Sequence, residues 1–214
     1  MALNKLKFNS INVTPAASKA IRFNSSANGL ETADAGGSLV KIASSTASSS
    51  SSVSFTSGID STYKEYLFVF NNIHPQSSNY MFTFNLSVDG GSNYNVTKTS
   101  SYFRAVHDEA DTYTALSYET NRDLAQSTDY QIICSGVDAS NDGSFSGYLH
   151  LFDPSSTTFV KHYISNGNAM VHTAYSMSGF CGGYANTTSA INAIDFKFQS
   201  GNVDSGTIDM YGVL

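Results

Sequence analysis

An all-β fold, an antiparallel, jelly-roll-like β-sandwich with an extended N-terminal arm, is predicted by three features of this 214-residue chain. Apolar and polar residues alternate with a period of two, most clearly over 80–88, as in a strand with one buried face. Clusters of Gly, Asn, Asp and Ser separate such windows, and no window sustains a helical period. The 14 Phe and 13 Tyr, with no Trp, supply side chains that suit pleated sheets and dominate their burial.

Taken in order, residues 1–45 carry only short apolar alternations, Leu6 to Phe8 and Ile21 to Phe23, interrupted by Asn, Ser, Ala and Pro15. No stretch there is long enough to close a core, so an extended arm that orders against neighbours is expected. A short strand at 38–43 is expected before the polyserine run 48–52, which reads as a flexible linker or a polar edge strand. Residues 46–214 form the sandwich domain. The continuous apolar run 66–70 suits a central strand, and 80–88 places Tyr80, Phe82, Phe84, Leu86 and Val88 on one face. Asp89-Gly90-Gly91 reads as a hairpin turn, with the pattern resuming at 94–97. Further strands are expected at 102–106, 113–118, 130–135, 145–152, 158–164, 169–176, 191–198 and 207–211. In the last two, Asp195, Lys197 and Asp209 imply one wet face. About ten short strands with tight turns make a sandwich, in jelly-roll order, or a closed barrel.

Composition narrows the function. With 11 basic residues, 17 acidic ones and a net charge of −6, the chain lacks the clustered cations that nucleic-acid backbone binding requires. No apolar run has membrane-spanning length, so no membrane insertion is expected, and the start lacks the apolar core of a secretion signal. Cys134 and Cys181 lie far apart without a CxxC partner; two buried free thiols are expected, with a disulfide between them as the alternative. No cofactor or metal site is expected.

The most chemically loaded segment is 104–111, with His107, Asp108, Glu109 and Asp111 flanked by aromatic residues. Hard cations take oxygen ligands from loops, but these carboxylates lack calcium-loop spacing, so a solvated loop between strands is expected. No His pair has HExxH spacing and no Ser lies in a GxSxG elbow; catalysis is not expected. Tyrosines beside Asn, Asp and Ser suit sugar binding, because a ring stacks on the apolar face of a sugar while polar groups take its hydroxyls. His107, Asp108, Asp111, Tyr113, Tyr118 and Tyr184 are therefore the candidate ligand contacts, on connections around 107–118 and 176–184; Tyr94 is a further exposed tyrosine of this kind.

Several segments resemble proteins of tailed bacteriophages. Lys19-Ala20-Ile21-Arg22-Phe23-Asn24, running to Gly29-Leu30-Glu31, is similar to a phrase near the start of tail-fibre and appendage proteins. Ser54-Phe55-Thr56-Ser57-Gly58-Ile59-Asp60, Asp89-Gly90-Gly91-Ser92-Asn93-Tyr94, Leu149-His150-Leu151-Phe152-Asp153-Pro154 and Gly206-Thr207-Ile208-Asp209-Met210-Tyr211-Gly212 resemble segments of a domain found in uncharacterised virion proteins of marine and cyanobacterial phages. The resemblance spans most of 50–214 and implies a non-enzymatic virion protein on the particle surface. It implies a tail-fibre or appendage subunit that attaches to a host-surface glycan, with a capsid decoration or head-fibre protein as the alternative. It also implies a homotrimer, while the arm's own alternations offer Leu6, Phe8, Ile21 and Phe23 as the groups expected to anchor it to tail or head proteins. A glycan-cleaving tailspike is disfavoured, because long repeats and a candidate carboxylate pair are both missing.

Overall fold

The structure, a computed structural model, describes residues 19–34 and 38–214. Among the described residues there are fourteen strands and no helix, and the named pairings are antiparallel. They form two units, one before residue 39 and a body from Leu39 to Leu214. In the first, β1 (Lys19–Phe23) pairs with β2 (Leu30–Asp34) through a loop in which the backbone N–H of Asn28 donates to Asn24 Oδ1. This segment is thus a hairpin rather than an extended strand. Its Ile21, Phe23 and Leu30 are 43%, 71% and 40% exposed, and a lone two-stranded hairpin is only marginally stable in water. Leu6 and Phe8 lie outside the described residues.

The body comprises β3 (Leu39–Thr46), β4 (Val53–Phe55), β5 (Glu65–Pro75), β6 (Tyr80–Ser87), β7 (Lys98–Asp108), β8 (Thr114–Tyr118), β9 (Gln131–Val137), β10 (Phe145–Phe152), β11 (Lys161–Val171), β12 (Tyr175–Ala185), β13 (Ala193–Phe198) and β14 (Val203–Val213). They make one twelve-stranded sheet that nearly closes into a barrel, with β3-β14-β5-β10-β11-β12-β7-β8 on one side and β9-β6-β13-β4 on the other. A single pairing, Val171 with Val137, joins the two at β11 and β9. Outside the β7–β8 and β11–β12 hairpins, four pairings nest one inside another, β3 with β14, β4 with β13, β5 with β10 and β6 with β9, and β5–β14 and β6–β13 join them into the two layers.

Aromatic rings fill the space between the layers. Phe70 of β5 lies 5.5 Å from Phe82 of β6 and 5.2 Å from Phe196 of β13, and Tyr163 of β11 stands 5.0 Å from Phe84 of β6. These strands are not sheet neighbours, so the contacts are face to face, as expected where two inner faces interdigitate. Two glycines opposite each other, Gly147 and Gly167, admit this packing. A Cβ on Gly147 would sit 2.4 Å from the Asn166 carbonyl oxygen, and one on Gly167 would sit 2.4 Å from the Phe145 ring. Gly147→Ala should cost about 1 to 3 kcal/mol by forcing the backbone apart. Gly182→Ala, where a Cβ meets nothing within 4 Å, is the control; equal urea midpoints for the two variants would refute the close approach.

Several sequence expectations are corrected. The boundary expected at 45/46 moves to 38/39, because Leu39–Thr46 pairs with β14 and belongs to the body. The polyserine run is neither linker nor strand but an ordered crossing from β3 to β4: Ser50 bridges Val203, and Ser49 Oγ donates to Asp204 Oδ1 at 2.9 Å. Residues 94–97 form no strand: β9 and β13 take most of both edges of β6, and only the Val96 N–H bonds to its backbone, donating to the Leu86 carbonyl at 3.4 Å. The strands expected at 158–164 and 169–176 give way to β11 and a turn that leads into β12, and 176–184 is therefore strand, not a connection.

Burial of polar groups is the other difference. Phe82, Phe84 and Leu86 are buried as expected, but Val88 is 39% exposed beyond the end of β6. Thr83, Asn85 and Ser87, on the opposite face, are buried too, because chain after β6 and before β9 crosses over them: Asn85 Nδ2 donates to the carbonyls of Tyr94 and Thr128 at 2.7 and 2.9 Å. Lys98 is wholly buried there, its Nζ donating to Asn85 Oδ1 and the Val96 carbonyl. Asp195, expected on a wet face, is 3% exposed and accepts from Ser54 Oγ and Tyr130 OH at 2.5 and 2.9 Å. Cys134 and Cys181 are buried free thiols, and burial pushes the Cys181 thiol up to about 12.

Candidate interaction surface

The side of the long sheet that faces away from the core is the most distinctive surface of the body. Strand alternation turns Tyr148, His150 and Phe152 of β10 outward, with Ile164 and Asn166 of β11, Phe180 and Gly182 of β12, Ser101, Phe103 and Ala105 of β7, and Leu116 and Tyr118 of β8. Register lines them up: Tyr148 faces Asn166, Asn166 faces Phe180, Phe180 faces Phe103, and Phe103 faces Tyr118. Phe103 and Phe180 stack in parallel at 4.8 Å with 7° between planes, while Leu116 and Ile164 stand 75% and 52% exposed. On the same side, His150 pairs with Glu65, and Lys41 Nζ lies 2.9 Å from Asp209 Oδ1.

At one end of this sheet the tips of the β7–β8 and β11–β12 hairpins come together, tied by the Glu109 N–H donating to the Ala174 carbonyl at 3.1 Å. A shallow cleft of about 300 Å³ lies there, lined in part by His107, Asp108, Glu109, Asn168 and Ser176. Asp108 holds the turn: its Oδ1 accepts the backbone N–H groups of Thr112 and Tyr113 at 2.8 Å each, and the hydrogen bonds from Thr112 hold its carboxyl below the usual range. His107 Nε2 lies 3.1 Å from Asp111 Oδ1. Tyr113, 49% exposed, stacks on Tyr175 at 5.7 Å on the other side of the tips, where Asp108, Glu109, Ala110 and Tyr175 line a second shallow cleft. The first cleft offers an imidazole, the Glu109 carboxylate, a hydroxyl and an amide, and the second offers the same carboxylate beside a ring, groups suited to a polyhydroxylated ligand. Among the described residues, no three His, Cys, Asp or Glu side chains are grouped as metal ligands.

The structure brings His107, Asp108, Asp111 and Tyr113 together at this end, but not the other two candidates. Tyr118 lies along β8 opposite Phe103, its hydroxyl donating to Asp123 Oδ2 at 2.6 Å. Tyr184 lies at the far end of β12, opposite Thr99, about 30 Å along the strand from Tyr175 at 3.3 Å per residue. Tyr94 is half-buried, and its hydroxyl lies among buried polar atoms that find no hydrogen-bond partner. Comparison with protein families, characterised proteins and solved structures finds no match to this chain.

The segments 107–118 and 176–184, named from sequence, hold Glu109 and Ser176 but not Asn168 or Tyr175. Pairing makes them neighbours, since Tyr175 faces Asp108 and Ser176 faces His107 across β12 and β7. The aromatic face was also missed, because a Phe or Tyr in a strand carries the same signal whichever face it occupies.

Proposed function

We propose that this chain is a non-catalytic structural subunit of a tailed-bacteriophage particle, an appendage or fibre component that presents its β body to a host-surface glycan. The particle assignment rests on the resemblance of the segments quoted above. A jelly-roll reading of the body is supported by the nested pairings, in which the chain folds as one long hairpin wrapped into two layers. The observation that carries the binding role is the pair of shallow clefts at the hairpin tips, both lined by Glu109, one with His107 and Ser176 and the other with Tyr175 of the Tyr113–Tyr175 stack. Loops at the end of a rigid scaffold are where recognition is usually placed. The N-terminal segment, with Ile21 and Phe23 exposed, is the proposed anchor to other particle proteins.

Electron microscopy of intact particles should place the chain on a tail or head appendage, and its absence from particles would end the assignment. For the glycan role, the double variant Glu109→Gln, Tyr113→Ala should bind host envelope polysaccharide about tenfold or more weakly, as expected for the loss of roughly 1.4 kcal/mol or more. Unchanged retention on immobilised polysaccharide would move the site away from the tips.

A further inference from the structure

We infer that the outer face of β10, β11, β12, β7 and β8 is a self-association surface that packs against the same face of a second copy of this chain. Charge is the first argument. None of the outward-facing residues of these five strands is Asp, Glu, Lys or Arg, although the chain carries a net charge of −6. Two like-charged copies therefore meet there without opposing charges, whereas most surfaces of an acidic protein repel their own kind.

Shape is the second. Phe180 and Phe103 form a raised pair at the centre of the face, in a row that Asn166 separates from Tyr148 and that ends at Tyr118. On either side of that pair lies a hollow of small groups, Gly182 opposite Ser101 and Ser178 opposite Ala105, bounded by the protruding Ile164 and Leu116. A raised pair beside a hollow is complementary to itself: a copy turned by a two-fold axis and offset by one row sets its pair into the hollow, the isologous contact of a symmetric dimer.

Area is the third. Five strands at about 4.8 Å spacing and four rows of outward side chains span roughly 25 by 25 Å, on the order of 600 Å² before side-chain relief is added. That approaches the roughly 800 Å² each partner contributes to a standard interface. Ring orientation argues against a sugar on this face. Phe103 and Phe180 turn their flat sides to each other and offer edges outward, whereas a sugar stacks on a ring's flat side. The body contact inferred is thus two-fold, in place of the threefold ring implied by the sequence resemblance. It stands apart from the particle assignment, which microscopy can refute without touching it.

The test is the mass of the purified full chain in solution, by light scattering and native mass spectrometry, at about 50 µM, above the micromolar Kd of a modest interface. A mass twice the 22.9 kDa of the monomer is expected. Phe103→Glu, which places carboxylates across the two-fold axis, should raise the dimer Kd at least about 100-fold, with the circular dichroism spectrum unchanged because the side chain faces out. Should that variant misfold, Leu116→Lys at the 75% exposed position of β8 serves the same purpose. A monomeric wild-type chain, or an oligomer whose mass neither substitution alters, overturns the inference; the first result would assign the face to a different partner.

Discussion

Phe196→Ala should lower the thermal midpoint more than any other single truncation in the body. Its ring is fully buried and meets five others, with centroids 6.4 Å away at Phe55, 5.5 Å at Phe68, 5.2 Å at Phe70, 6.1 Å at Phe82 and 6.4 Å at Phe84. These rings come from three strands, β4, β5 and β6, on both layers, so the cavity left behind cannot collapse without moving the layers together. A buried Phe truncation costs about 3 to 5 kcal/mol, which for a domain of this size shifts the midpoint by on the order of 10 °C. Phe103→Ala, on the outer face, should shift it far less under conditions where the chain is monomeric. Equal shifts for the two variants would show that the layers are not joined through Phe196.

Stability should rise from pH 7 to about pH 9 and then fall. Burial of Lys98 draws its pKa from 10.5 to about 7, so above pH 7 the folded chain has released a proton that the unfolded chain still holds. Wherever the unfolded state binds more protons, stability increases with pH, here by up to about 1.4 kcal/mol per unit. The gain from pH 7 to 9 is therefore about 2 to 3 kcal/mol. Cys134 and Cys181 act in the opposite sense: burial raises both thiols from 9.0, so above pH 9 it is the unfolded chain that loses protons first. Raised pKa values at Tyr102 and Tyr163, also from burial, steepen the fall above pH 10. Urea unfolding under reducing conditions at pH 7, 8, 9 and 10 reads this directly, and Lys98→Met should flatten the rising limb. A flat or falling profile between pH 7 and 9 in the wild-type chain would mean that Lys98 is not held in a desolvated site.

The legible part of the fold was whatever depends on near neighbours in sequence. Alternation at Phe82, Phe84 and Leu86 identified β6 and its core face, and the Gly-, Asn- and Asp-rich segments marked most strand ends. Sequence patterning failed where distant chain decides the environment. β12, with its run Ser178-Gly179-Phe180-Cys181-Gly182-Gly183, has poor strand propensity, yet β11 and β7 pair with it on both sides. Its small residues are needed there: a Cβ on Gly179 would meet Tyr102 Oη at 2.5 Å. Asp195 looked like a surface charge because period-two reasoning knows only one sheet and cannot see that connections fold over its second face. The candidate site was half legible for the same reason. The 107–113 turn is local and announced itself, whereas its partners on β11 and β12 arrive only through pairing across some 65 residues.

The nested pairings also set an order of events during synthesis. β14 lies between β3 and β5, so the first strand of the body cannot acquire its neighbour until the last has left the ribosome. β4 likewise waits for β13. The β11–β12 and β7–β8 hairpins and the β6–β9 pair can form from chain already made, but the aromatic inner faces of β4 and β5 stay open until residues beyond 193 are available. Such late, long-range closure slows folding and leaves unpaired strand edges exposed in the meantime. A nascent chain of this protein is therefore at its most vulnerable to aggregation just before β14 emerges, and a stop that removes β14 leaves β3 and one edge of β5 with nothing to bind.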